Sequence, residues 1–210
     1  AAANMMLAIL GGRPVLESRV PMLIGGGIDE LVAKVLDQSG VKTEPELQST
    51  AAALFRNLYG QRLFQRSQVY PNVLMTLHTL RGDGRTLYCV TNKERKFALP
   101  LLEFAGLSGF FSAVFCADTI EDRKPSPNML RAACTHACVE AEKMLCVGDS
   151  RADIVAAQAA GCRVVAVDYG YHHNVPLDEL RPDAIVSDMR QLLELSVHSK
   201  SDGAVLRAIA

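Results

Sequence analysis

The sequence predicts an α/β protein in which a small helical unit precedes a core built on a parallel sheet. Three observations lead to this prediction. The first third of the chain shows helical periodicity and almost no strand signal, the part after Pro71 alternates short strands with helices, and each of those strands is a nearly continuous apolar run. Such runs are typical of strands buried on both faces in doubly wound parallel sheets.

The helical unit is predicted over residues 1–67. In 28–40 the apolar residues recur three or four positions apart, and Gly40 is a good helix stop. A second helix is expected in 44–64, with Pro45 in its first turn, and a third up to Leu10.

The core is predicted over residues 68–197. Helices are expected in 72–84, 93–106, 126–139, 152–161 and 189–196, and strands in 85–92, 112–118, 143–150, 163–170 and 183–188. No firm pattern follows His198, so 198–210 is predicted to be a loosely held C-terminal tail.

Composition narrows the possible partners and the compartment. A formal net charge of -1 gives no basic surface for nucleic acid or an anionic membrane, and no apolar run reaches membrane-spanning length. The six cysteines include no C-x-x-C pair, which favours a reducing, cytoplasmic setting. Cys134, His136 and Cys138 share one helix but lack a fourth ligand at a useful spacing, so packing is favoured over a zinc site.

Polar residues follow the predicted strands, where a parallel sheet places its ligands. A hydroxyl and backbone N–H groups can donate to phosphate oxygens, a lysine supplies positive charge, and carboxylates hold Mg²⁺. Each residue also has a structural interpretation: helix capping for Thr91 and Asp149, a solvated loop for Lys124, and a first-turn position for Asp153. Their succession at strand ends favours phosphoryl transfer. The residues are Thr91, Asn92, Asp118, Lys124, Asp149, Asp153 and Asp168.

Three of these segments carry a family resemblance. Thr91 in CVTNK, Lys124 in RKPSP and the stretch GDSRAD ending at Asp153 resemble the second, third and fourth motifs of haloacid-dehalogenase-like phosphatases. The stretches IGGGIDELV, YPNVLMTLHTLRGDGRTLYCVTNK and VDYGY resemble the phosphoglycolate phosphatase branch. The resemblance implies a Rossmann-like core, a helical cap and Mg²⁺-dependent hydrolysis of phosphate monoesters through an aspartyl-phosphate intermediate.

The resemblance also assigns roles to residues. Thr91 and Lys124 are expected to bind phosphate, with the backbone N–H of Asn92 as a helper. Asp149 and Asp153 are expected to hold Mg²⁺, with Thr91, Lys124 and Asp153 serving catalysis. The favoured substrate is 2-phosphoglycolate, and another small phosphate monoester remains open. Two loop histidines that could line the site, His172 and His173, are more simply interpreted as surface residues.

The family's first motif, D-x-D-G-T, provides the nucleophile and follows the central strand of the core. No D-x-D occurs in this sequence, and GDGRTL at 82–87 is a turn that precedes a strand. We therefore expect an inactive chain that lacks the nucleophile and the central strand, with a missing N-terminal extension as the favoured origin. A phosphosugar mutase and a non-catalytic phosphate- or metal-binding fragment are the alternatives.

The missing strand has a structural consequence. Either the strands ending in Thr91 and Asp149 pair directly, or a segment of the same or a neighbouring chain fills the gap. Unfilled strand edges recruit partners, so self-association is a possible outcome.

Overall fold

The computed structural model describes residues 1–41, 44–119, 121–171, 175–197 and 205–209, the last of these as backbone only. The chain forms two compact units, Ala1–Ser67 and Gln68–Ala210. Each unit is described separately below.

The first unit is helical, as the periodicity predicts. Its helices are α1 (Ala2–Ile9), α2 (Ile28–Ser39) and α3 (Pro45–Gly60), with a 3₁₀ segment at Glu17–Leu23. Helix α2 ends at Gly40 in the left-handed conformation, with φ of 76°, which a glycine adopts without strain.

Buried side chains from all three helices form one apolar core in this unit, and Arg56 of α3 pairs with Asp29 of α2 at 2.8 Å beside it. Burial of the apolar face supplies most of the stability of such short helices. The core includes Met6, Leu7, Val32, Val35, Leu36, Ala51, Phe55 and Leu58.

In the described part of the second unit, the strands form one six-stranded sheet, and every recorded strand pair is parallel. The order across the sheet is β2-β1-β6-β3-β4-β5. The strands are β1 (Leu87–Thr91), β2 (Phe111–Cys116), β3 (Met144–Gly148), β4 (Arg163–Val167), β5 (Ala184–Val186) and β6 (Val205–Ile209).

Helix α4 (Val73–Gly82) precedes β1. The other helices lie between strands, as expected for a parallel sheet: α5 (Arg95–Phe104), α6 (Asn128–Ala137), α7 (Arg151–Ala160) and α8 (Gln191–Val197), with 3₁₀ turns at Ser108–Phe110, Ala141–Lys143 and Asp178–Leu180. Among the helices in the described ranges, none combines the length and the apolar character needed to cross a bilayer.

The sheet is buried on both faces at β3, where all five residues are buried. In β3, Met144 and Cys146 pack into one apolar cluster with residues of α6 and α7. The alternate residues, Leu145 and Val147, pack into a second cluster with residues of α4 and α8. This alternation is the two-residue period of a strand, and it confirms the predicted doubly wound α/β core.

The position between β1 and β3 is filled by β6, a segment of the same chain. Leu206 is paired with Leu145 of β3, and Ile209 with both Val147 of β3 and Cys89 of β1. The prediction of a loosely held tail is therefore wrong for Val205–Ile209. This strand fills a gap that would otherwise leave two rows of backbone groups unpaired.

Candidate active site

Lys124 lies buried in the loop between β2 and α6 and reaches the edge where the strands end. Its ammonium donates to the backbone carbonyl of Val90 at 2.8 Å and pairs with Asp153 Oδ1 at 2.6 Å. The side chains of Lys124 and Asp153 are only 6% and 8% exposed. The structural interpretation of a solvated loop lysine is therefore wrong, because this charge is buried and paired.

Asn92, directly after β1, fixes the backbone of this lysine. Its side chain accepts from the Lys124 N–H at 2.7 Å and donates to the Lys124 carbonyl at 3.0 Å. Thr91 ends β1, and its hydroxyl accepts from the Lys93 N–H at 3.2 Å. The chain thus brings Thr91, Asn92 and Lys124 together, although sequence reasoning had given Asn92 a role only through its backbone N–H.

Asp153 lies in the first turn of α7, and both of its carboxylate oxygens are engaged. Oδ1 pairs with Lys124, and Oδ2 accepts from the Ser150 N–H at 3.0 Å and the Ser150 hydroxyl at 2.5 Å. Ser150 and Asp153 form a capping box. A Cβ at Gly148 would lie 2.3 Å from the Asp153 Cβ, so only glycine fits there.

Asp149 follows β3 directly and is held by the loop after β4. Its Oδ2 accepts from the Tyr171 N–H at 2.6 Å. A Cβ added to Gly170 would lie 2.2 Å from the same oxygen, which is far inside contact distance. Asp149 and Asp153 therefore face different partners, a backbone loop and a lysine.

The two carboxyls differ in acidity for physical reasons. Burial raises the pKa of Asp149 above its usual range, and repulsion from Asp153 adds to this, while the Tyr171 N–H acts in the opposite direction. Burial also acts to raise the pKa of Asp153, but the charge and hydrogen bond of Lys124, with the Ser150 hydrogen bonds, outweigh it and lower that pKa. Asp149 is therefore the carboxylate whose charge is left under-compensated.

We predict that Asp149→Asn stabilises the metal-free chain by about 0.5–2 kcal/mol at pH 7. A raised folded-state pKa favours the native state below the unfolded pKa, and this contribution is lost as pH rises through the folded pKa. The neutral amide avoids that loss and can still accept from Tyr171. Urea titrations should show a higher free energy of unfolding for Asp149→Asn than for the parent at pH 7, and a smaller difference at pH 4.

The control is Asp168→Asn, because Asp168 is exposed and its Oδ2 accepts from the Ser187 hydroxyl at 2.6 Å, a bond an amide oxygen can also accept. That variant should stay within about 0.5 kcal/mol of the parent. A loss of stability in Asp149→Asn would contradict the assignment of an under-compensated charge.

The carboxylate oxygens at this edge are the type of ligand that Mg²⁺ prefers, but few of them are available. Asp149 provides a carboxylate with one oxygen engaged by Tyr171, whereas both oxygens of Asp153 already have partners. Over the described ranges, no group of three or more His, Cys, Asp or Glu side chains is arranged to hold a metal. The residues fit a Mg²⁺ ion that keeps most of its ligands as water or substrate oxygens.

Two other residues at strand ends have local roles. Asp118, after β2, accepts from the Arg95 N–H at 2.9 Å at the start of α5. Asp118 therefore accepts a hydrogen bond from the first turn of α5, whereas the sequence had suggested Thr91 as the cap of that helix. Asp168 accepts from the Ser187 hydroxyl after β5. The predicted loop histidines His172 and His173 lie outside the described residues.

The cysteines behave as apolar core residues, apart from Cys138. All six are free, and only Cys138 is exposed. His136 packs edge-on against Tyr88 and Phe115. The packing interpretation of the Cys134, His136 and Cys138 group therefore fits better than a zinc site.

In the helical unit, the glycine-rich stretch before α2 contacts a side chain of the helix that it leads into. The Glu30 carboxylate folds back so closely that a Cβ at Gly26 would collide with it, and the Lys34 ammonium pairs with Glu30. Gly27 is the N-cap of α2, with φ of 86°. This arrangement favours the simpler interpretation of the stretch as a helix start.

Sequence reasoning missed three contributors to the site: the Val90 carbonyl, the Ser150 capping box, and the loop of Gly170 and Tyr171. A serine three residues before an aspartate at a helix start is a recognisable capping signal. The Gly170 contact has no local signal, because it joins residues from two different strand ends.

Comparison with known proteins agrees with this geometry. The family model described as haloacid dehalogenase-like hydrolase matches residues 2–167. The phosphoglycolate phosphatase of Vibrio cholerae is 39% identical over 197 residues, which are 92% of this chain and 87% of that protein. That of Haemophilus influenzae strain 86-028NP is 39% identical over 184 residues, which are 85% of this chain and 82% of that protein.

A solved structure is also similar throughout. The crystal structure of a predicted phosphoglycolate phosphatase from Haemophilus somnus 129PT superposes with a TM-score of 0.87 at 31% identity, covering 93% of this chain and 88% of that one. The family model, the relatives and this fold agree, and the chain belongs to the haloacid dehalogenase-like hydrolases.

Proposed function

We propose that this chain carries the phosphate- and metal-binding machinery of a Mg²⁺-dependent phosphatase acting on small phosphate monoesters, with 2-phosphoglycolate favoured. The observation that carries the proposal is the buried Lys124 ammonium, held by Val90 and Asp153 beside Thr91. A fixed, desolvated cation at the carboxyl edge of a parallel sheet is suited to a phosphoryl group. The substrate preference rests on the names of the relatives.

The residues divide the work on the phosphate. The Thr91 hydroxyl and nearby backbone N–H groups donate to its oxygens, and Lys124 offsets the charge that develops on them during transfer. Asp153 serves catalysis by holding Lys124 in place, since its two oxygens are taken by Lys124 and Ser150. Asn92 fixes the lysine's backbone from the other side.

Asp149 is the proposed direct Mg²⁺ ligand, with Asp153 in an indirect supporting role. When bound, Mg²⁺ neutralises negative charge on the phosphoryl oxygens. With so few protein ligands, we expect weak Mg²⁺ affinity in the absence of substrate.

We propose further that the sequence as given does not turn over substrate. It contains no D-x-D motif, and the segment between β1 and β3 reads VLRAI, without a carboxylate. In the family that position belongs to the strand that carries the nucleophile. Covalent catalysis without its nucleophile retains little rate.

The other features follow from the same residues. The six free thiols favour a reducing, cytoplasmic setting. Because β6 lies between β1 and β3, self-association would use a surface other than the facing edges of these two strands.

The test compares this chain with a fusion that adds an N-terminal strand ending in D-x-D-G-T. Each is assayed with Mg²⁺ on 2-phosphoglycolate, p-nitrophenyl phosphate and a sugar phosphate. We expect turnover by the chain itself to stay at the detection limit of the assay, and turnover by the fusion to lie at least about a thousandfold above that limit. Changing the first aspartate of the fused motif to asparagine should remove that gain, and so should Asp149→Asn.

Each alternative gives a different result. Phosphate binding with no turnover in either form would support a binding protein. Interconversion of sugar phosphates by the fusion would support a phosphosugar mutase. Phosphoglycolate ranking well below sugar phosphates in kcat/KM would overturn the favoured substrate.

A further inference from the structure

The loop after β4 approaches Asp149 more closely than any residue with a side chain could. The Tyr171 N–H donates to Asp149 Oδ2 at 2.6 Å, and a Cβ at Gly170 would lie 2.2 Å from that oxygen and 2.3 Å from the Asp149 Cβ. Real Cβ atoms do not approach other heavy atoms this closely. The Asp149 side chain therefore leaves no room for a Cβ at Gly170.

The conformation of Gly170 does not explain the glycine. Among the described glycines, seven have positive φ, and Gly170 is not one of them. An alanine could adopt its backbone angles, so the need for glycine arises from contact with Asp149 alone.

The loop is held on its other side, which fixes the position of the N–H donor. The Asp168 N–H donates to the Val186 carbonyl at 3.2 Å, and the Asp168 carboxylate accepts from the Ser187 hydroxyl at 2.6 Å. The Tyr169 ring packs against the Tyr70 ring at 5.0 Å between centroids. The residues just before Gly170 are thus anchored to β5 and to an aromatic neighbour.

We propose that Gly170 and the Tyr171 N–H form a clasp that positions the Asp149 carboxylate as a metal ligand. The clasp occupies Oδ2, restrains the rotation of the carboxylate and leaves Oδ1 as the oxygen for a cation. Partners that orient a ligand carboxylate in this way typically change metal affinity by 10- to 100-fold when lost. Gly170 is therefore a positioning residue, and its role rests on the proposed function of Asp149.

The variant to test is Gly170→Ala, with Gly82→Ala as the matched control, because a Cβ at Gly82 meets nothing within 4 Å. The metal-free readout is the Tyr171 amide resonance in a ¹⁵N–¹H spectrum. A charge-assisted bond shifts such a proton downfield. Both Asp149→Asn and Gly170→Ala should move it upfield, while Gly82→Ala should leave it in place.

The second readout is the Mg²⁺ dissociation constant from calorimetry on the same variants. Gly170→Ala should raise it at least about tenfold, and Gly82→Ala should leave it unchanged. If Gly170→Ala folds poorly, the double variant with Asp149→Gly should recover folding, because the atoms that collide with the new methyl are gone.

The outcomes separate the clasp from the proposed function. The clasp would be overturned if Gly170→Ala changed neither the Tyr171 amide resonance nor the Mg²⁺ dissociation constant. It would also be overturned if Gly170→Ala folded poorly and the double variant with Asp149→Gly did not recover folding. If the unmodified chain binds no Mg²⁺ but the amide responds as expected, the contact between the clasp and Asp149 is supported and the metal role of Asp149 is refuted.

Discussion

Lys124→Met should destabilise the chain by about 3–5 kcal/mol, the usual cost of removing one partner of a buried ion pair. The methionine fills a similar volume, so the loss arises mainly from Asp153, which would remain buried and charged without its cation. The Val90 carbonyl would also lose its donor. Urea titration at pH 7 measures the effect, and binding of inorganic phosphate to the variant should fall below detection.

Two companion variants isolate the cause. Lys143→Met removes an exposed lysine and should change stability by less than about 0.5 kcal/mol. Lys124→Met combined with Asp153→Asn removes both charges, and it should be clearly more stable than Lys124→Met alone. A double variant as unstable as the single one would show that the loss has another source, such as packing of the lysine stem.

The pH dependence gives an independent check. The lowered pKa of Asp153 in the parent means that its ion pair stabilises the native state above the unfolded pKa, near 3.9, and that this is lost as pH falls through the lower folded pKa. Without Lys124, burial dominates and the pKa of Asp153 should rise. The loss of unfolding free energy in Lys124→Met, relative to the parent, should therefore be largest at neutral pH and smaller near pH 4.

The elements of the sheet were predictable because their signals are local. Continuous apolar runs marked β1 to β5, and glycines or polar clusters marked their ends. The carboxyl edge of a parallel sheet then required Thr91, Lys124 and Asp149 to lie near one another. Topology alone determines that proximity.

The partners within the site were not predictable in the same way. That Asp153 pairs with Lys124 depends on the path of the loop between β2 and α6, and that Gly170 adjoins Asp149 depends on how two strand ends are spaced. Neither the path of that loop nor the spacing of the strand ends produces a recognisable sequence pattern. The two aspartates therefore looked equivalent as metal ligands, whereas their surroundings give them different partners and opposite pKa shifts.

The strand β6 was missed for a different reason. Its sequence VLRAI is a short, mostly apolar run that suits a helix as well as a strand. The strand conformation of this segment is stabilised by pairing with β1 and β3, between which it lies. Tertiary context of this kind overrides weak local propensity.

Leu206→Pro should therefore destabilise the core unit, because proline cannot donate to either neighbouring strand. A lost ladder bond that leaves its acceptor buried and unpaired costs about 1–3 kcal/mol, and a strand that detaches altogether exposes the facing edges of β1 and β3. Urea titration should show the loss, and sedimentation should show more association than in the parent. The matched control is Leu206→Val, which keeps the N–H and a strand-forming side chain.

Hydrogen exchange locates the effect of this proline within the sheet. Amides of β1 and β3 should lose protection in Leu206→Pro, while amides of the paired strands β4 and β5 keep more of theirs. The fusion bearing a D-x-D-G-T strand adds a sharper comparison, because its new strand should compete with β6 for the central position. If it displaces β6, Leu206→Pro should cost the fusion little stability while remaining costly in the chain alone. Equal stability of Leu206→Pro and Leu206→Val in the unfused chain would refute the placement of β6 between β1 and β3.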